Sequence, residues 1–168
     1  MNMDYGQYKA LDIDKSLISL ENIKEATQYF CYPIKAKAIG FEGCIMYCFI
    51  EGYGEMVFAS NPESCADTYV YPLARNFKEF LGLILACGSA NPIEQIVWES
   101  KEQFEQHIKE EQATRTKAQD IVLQQLKSKM NIIPIDNPFE YVKEVQKNFD
   151  SSKIEYSDEY YDVLGIER

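Results

Sequence analysis

GCIMYCFIEGYGEMVFASNPESCADTYVYPLARNFKEFLGLILACG, residues 43–88, decides the fold of this chain, because it reads as three strands feeding one well-signalled helix. Ile45 to Ile50 and Met56 to Ala59 are apolar runs with aromatics. Between them, Glu51-Gly52-Tyr53-Gly54 supplies residues that tolerate positive φ, so the pair is expected to form a hairpin. The two glycines are turn residues and not a phosphate cradle, which would need more glycines, a Lys-Ser/Thr pair and a following helix. Asn61-Pro62 breaks the second strand, and Thr68 to Tyr71 forms a third that stops at Pro72.

A helix follows. Asn76 is placed to cap it and Glu79 to complete a capping box. Phe77, Phe80, Leu81, Ile84 and Leu85 recur at helical spacing on one buried face, and Gly88 is placed to end the helix in the left-handed conformation. Strands that lead into a helix with one apolar face predict an α+β fold: a twisted, mainly antiparallel sheet with helices packed against it.

Working outward, the chain downstream of Gly88 reads as helical. Ala90-Asn91-Pro92 opens a short apolar segment through Trp98, and Ser100 with Gln103 forms a capping-box pattern before Phe104 and Ile108. Thr116 and Gln119 start another helix, with Ala118, Ile121, Val122, Leu126 and Met130 on one stripe. Asn137-Pro138-Phe139-Glu140 starts a further one, carrying Val142, Val145 and Phe149. Upstream, Leu20, Ile23, Thr27 and Phe30 fit a short amphipathic helix after Ser19, ended by Tyr32-Pro33 before a first strand from Ile34 to Ile39. With no repeat or Gly/Ser/Pro-rich linker, residues 1–168 read as one domain, a sheet-containing core over 1–88 and a helical extension over 89–168 on the same core.

Composition bounds the function. The 168 residues hold 27 acidic and 17 basic side chains, a formal net charge of −10, with a pI near 4.6. Nucleic acid and anionic membranes should repel such a chain, and a basic protein should attract it. The first fifteen residues carry no apolar leader core, and no apolar run approaches the roughly 18 residues of a membrane span, so a cytoplasmic protein is expected. Five scattered cysteines, Cys31, Cys44, Cys48, Cys65 and Cys87, read as reduced, buried, structural thiols. No metal site is expected: Cys44 and Cys48 would sit roughly 13 Å apart along a strand. No cofactor motif is present either.

No set of catalytic residues emerges. The single histidine, His107, lies beside Phe104 and Ile108 at helical spacing and reads as a solvent-facing or half-buried helix residue, and no serine has nucleophile-elbow surroundings. The C-terminal DSSKIEYSDEYYDVLGIER interleaves Tyr156, Tyr160 and Tyr161 with carboxylates. This composition suits a protein-binding rim and equally a partly ordered acidic tail.

Within GCIMYCFIEGYGEMVFAS and TYVYPLARNFKEFLGLILACG, the chain resembles small uncharacterised proteins of Gram-positive bacteria and the SUKH superfamily. The resemblance covers residues 30–88 and is carried by Tyr71, Pro72, Leu73, Ala74, Asn76, Phe77, Phe80 and Leu81. It implies an α+β fold with no catalytic residues, and an immunity role in which a toxin is bound and neutralised. The expected function is therefore a non-catalytic protein-binding module that masks a basic toxin. Tyr53 and Glu55 at the hairpin, with Glu63 and Asp67 before the third strand, are the candidate contact surface. Two alternatives remain open: an enzyme or small-ligand binder with a cleft between sheet and C-terminal helices, and a structural homodimer joined by apolar helix stripes.

Overall fold

The computed structural model describes residues 3–168; Met1 and Asn2, the start of the stretch read for a leader, lie outside the described residues. In chain order the elements are α1 (Met3–Lys9), a 3-10 turn (Lys15–Ile18), β1 (Ala36–Glu42), β2 (Ile45–Ile50), β3 (Val57–Ser60), β4 (Val70–Ala74) and α2 (Phe77–Cys87). They continue with α3 (Ala90–Gln95), α4 (Lys101–Thr114), α5 (Lys117–Met130), α6 (Pro138–Lys147) and α7 (Asp158–Leu164). The strands form an antiparallel meander in the order β1-β2-β3-β4. The protein is thus α+β, as residues 43–88 predict.

The β2–β3 hairpin turns through Gly52 and Gly54, at φ +98 and +61, a region that L side chains rarely enter. Its strands are apolar at every position but the buried Ser60, because both sheet faces are covered. Tyr47, Ala59, Tyr71 and Leu73 face a large core with Phe77, Phe80, Leu81 and Ile84 of α2. Met46, Cys48, Ile50, Phe58 and Val70 face a second cluster on the other side. Burial of each large α2 side chain contributes about 1.5–3 kcal/mol, so α2 is the principal clamp on the first face.

The caps form largely as the sequence indicates. The Asn76 side chain accepts from the Glu79 N–H at 2.8 Å, and Gly88 at φ +95 donates to the Ile84 carbonyl. Glu79 bonds the Asn76 side-chain amide, where a full capping box would engage its backbone N–H. Ser100 and Gln103 make the complete box at the start of α4, and Thr116 caps α5.

Several expectations are corrected. β4 does not stop at Pro72 but runs through it to Ala74. It is an edge strand, where a missing N–H is tolerated; α6 packs along it, and Gln146 Nε2 donates to the Pro72 carbonyl at 3.0 Å. The first strand starts at Ala36, past Ile34, and extends to Glu42. No helix forms after Ser19. Instead Glu21 exchanges two 2.9 Å backbone hydrogen bonds with Phe41 on the open edge of β1, and Ile23, Ala26 and Phe30 pack irregularly on the second sheet face. Within α5, Ile121 is 57% exposed while Leu123 is buried, so the apolar stripe is Val122, Leu123, Leu126 and Met130. Among the cysteines Cys31, Cys48 and Cys87 are buried, Cys44 is half-buried, and Cys65 is exposed on the β3–β4 loop.

The C-terminal end is ordered on the second face. Phe149, Ile154, Tyr156 and Tyr160 join that cluster, and Tyr156 stacks on Tyr160 with ring centroids 3.7 Å apart. Helices α3 to α6 share the first core with the sheet: Ile93, Ile96, Phe104, Leu126 and Val142 belong to it. No helix among the described residues is long and apolar enough to cross a membrane.

Candidate acidic binding site

The four sequence-derived contact residues fall at the two ends of β3. Tyr53 and Glu55 lie at the hairpin tip, and Glu63 and Asp67 lie in the loop that leaves the opposite end of the strand, so the pairs do not form one patch. Glu55, Glu63 and Asp67 are exposed. Tyr53 is bound within the chain. Its hydroxyl donates to the Asp150 carbonyl at 2.7 Å and accepts from the Lys153 N–H at 3.0 Å, and its ring lies 5.3 Å from those of Phe58 and Phe149.

A different acidic surface emerges where α3 meets α4. A shallow cleft of about 480 Å³ is lined by Gln95, Glu99, Glu102, Gln106, His107 and Glu110, with Gln103 of the α4 cap completing it. The sequence builds it simply. The Ser100–Gln103 box fixes where α4 begins, so Gln103, Gln106, His107 and Glu110 follow at i, i+3, i+4 and i+7 on one stripe. Phe104 and Ile108 turn to the core. Glu99, one residue before the cap, enters the cleft from the α3–α4 turn.

Glu99 is the unusual member. Its side chain is only 5% exposed; Oε1 lies 3.4 Å from His107 Nδ1, and Oε2 is buried without a hydrogen-bond partner. His107 is half-buried and bridges two carboxylates, its Nε2 lying 3.6 Å from Glu111 Oε1. An unpartnered buried carboxylate oxygen costs free energy, so this position is held against a local penalty.

Further carboxylates stand behind the cleft. Glu94 on α3 accepts from the Tyr71 hydroxyl and from Asn61 Nδ2 at 3.3 Å, and Glu42 accepts from Tyr47 at 3.0 Å and Asn91 at 2.7 Å. Burial pushes both carboxyls above the usual range, more than these hydrogen bonds pull them down. Glu94 is further raised by repulsion from Glu42 and Glu99, and Glu42 by repulsion from Glu111. The Cys44 thiol is also raised, by burial first and then by Glu63, Glu94 and Glu42. The negative field therefore extends from Glu63 through Glu42 and Glu94 to Glu99 and Glu111. Among the described residues no group of His, Cys, Asp and Glu is arranged to hold a metal ion.

The sequence reading of the contact surface included Glu63, which borders this field, and omitted Glu99, His107 and the glutamines. The polar stripe of α4 was legible from its capping box; its apposition to α3 was not, because that depends on tertiary packing. No family model, curated protein or solved structure matches the chain.

Proposed function

We propose that the protein is a non-catalytic binding module, an immunity-like inhibitor that docks the acidic α3–α4 surface on a basic partner protein and masks it. The observation that carries this reading is the concentration of carboxylates at the cleft, with Glu99, Glu102 and Glu110 lining it and Glu111, Glu94 and Glu42 behind. The net charge of −10 adds long-range attraction for a basic surface. The resemblance of residues 30–88 to the SUKH superfamily supports the inhibitor role.

Glu63 and Asp67 are exposed on the β3–β4 loop, and the exposed Glu55 stands apart at the hairpin tip. The test is affinity capture from native cell lysate at low and high salt. A single basic protein retained at low salt and released at high salt is the expected result, because surface charge pairs are screened beyond roughly 10 Å at 0.1 M salt. A retained small molecule with no protein would overturn the reading in favour of a ligand-binding protein.

A further inference from the structure

We infer that residues 149–168 form a displaceable strap, which lifts from the second sheet face as a unit while the sheet and α2 stay folded, and which thereby gates modification of the two thiols beneath it, Cys31 and Cys48. This device is independent of the acidic docking surface. The segment closes the second face with Phe149, whose ring lies 5.4 Å from that of Phe58, and with Ile154, Tyr156 and Tyr160. Tyr160 stacks on Phe30 at 6.4 Å, and both Tyr156 and Tyr160 lie within electrostatic reach of the Cys31 thiol, which in turn reaches Cys48. Cys31 and Cys48 are fully buried in this cluster, and Cys87 is equally buried in the core on the other face.

The polar ties of the strap are peripheral. The Tyr53 hydroxyl bonds Asp150 and Lys153, and the Ile34 N–H donates to the Glu155 carbonyl at 2.9 Å. Among the described residues one ion pair joins the strap to the body, Lys35 with Glu155, and both side chains are half-exposed, where such a pair contributes little. Six carboxylates against Lys153 and Arg168 give the segment the same sign of charge as the rest of the chain, so long-range electrostatics does not hold it down. At its end α7 buries no residue and leaves Val163 and Ile166 exposed. By contrast, α2 fastens the first face with Phe77, Phe80, Leu81 and Ile84, all fully buried. A segment with few buried apolar contacts opens at a lower free energy than the core it covers. Burial holds the thiols of Cys31, Cys48 and Cys87 alike above their usual range, so all three are protonated and inert until exposed. Their relative reactivity therefore reports which face opens.

The test exposes the full native chain to N-ethylmaleimide, which adds a thiol S–H across its double bond with nothing leaving, and follows each cysteine by mass spectrometry. Exposed Cys65 and half-buried Cys44 label first. The expected result is that Cys31 and Cys48 follow about tenfold or more faster than Cys87, and that the Ile34 and Lys153 amides show hydrogen exchange governed by the same opening. Tyr53→Phe should speed labelling of Cys31 and Cys48 by about tenfold and leave Cys87 unchanged. An adduct on the fully buried Cys31 has no room beneath the closed strap, so labelled protein should keep fast exchange at Lys153 while the α2 amides stay protected. Labelling of Cys31, Cys48 and Cys87 at one common rate would mean that the thiols wait for global unfolding, and would overturn the strap. Cys31 labelling while the Lys153 amide stays protected would overturn it too, since the cover would then be the upstream segment 21–35. Both comparisons are made on the wild type, so they decide the matter even where Tyr53→Phe loosens the whole fold.

Discussion

Single positions carry much of the specificity of this fold. At Gly82 in α2, an added Cβ would stand 2.7 Å from the Ile133 carbonyl oxygen and 3.2 Å from the Ile135 side chain, and the Gly82 carbonyl accepts from the Ile135 N–H at 3.1 Å. Glycine lets the 133–135 segment lie directly on the helix. Gly82→Ala should therefore destabilise the protein by about 1–3 kcal/mol despite the better helix propensity of alanine, read as a lower urea midpoint. A midpoint equal to or above that of the wild type would show that the segment moves aside freely. Buried carboxylates make a second prediction at this scale. Glu94 has its carboxyl raised above 4.5 by burial, so it binds its proton more readily in the folded than in the unfolded chain. The stability it contributes is fully present below 4.5 and is lost as pH rises through the folded value. Thermal melts across a pH series should fall less steeply above pH 4.5 for Glu94→Gln than for the wild type; superimposable slopes would contradict the assignment.

At the scale of elements, the segment that ties the C-terminus to the hairpin is the most informative. The Tyr53 hydroxyl joins Asp150 and Lys153, and its ring with Phe149 covers the second sheet face. Tyr53→Phe keeps the ring and deletes both hydrogen bonds. Hydrogen exchange at the Lys153 amide should accelerate by about tenfold, with β2 and α2 amides unchanged; unaltered exchange would mean that packing alone holds the segment. The elements also divide by how they could be read from sequence. α2, α4, α5 and the hairpin carry their signals locally, in caps, glycines and periodic apolar residues, and they form where those signals place them. The stretch from Leu20 to Phe30 has helical spacing yet lies irregularly, because the exposed edge of β1 offers Glu21 backbone partners and the second sheet face offers its apolar residues a place to pack. Pro72 misleads for the same reason: only the tertiary position of β4 at the sheet edge makes the proline tolerable. The acidic cleft was half legible, as the stripe on α4. Its other wall and the burial of Glu99 come from how α3 docks on α2 and α6.

For the whole molecule, the sheet is covered on one face by helices and on the other by irregular chain together with α7, and the carboxylates gather where α3 and α4 leave the core. On the proposed reading, a basic partner relieves the repulsion between these buried and neighbouring carboxylates. The acidic surface and the predicted partner are two sides of one electrostatic argument. It is tested most directly by comparing capture of a basic lysate protein by the wild type and by Glu102→Lys/Glu110→Lys, two exposed α4 positions whose reversal leaves the core untouched. The account predicts that the wild type retains the protein at low salt and releases it at high salt, while the reversed variant retains little at either. Equal retention by both, insensitive to salt, would contradict it.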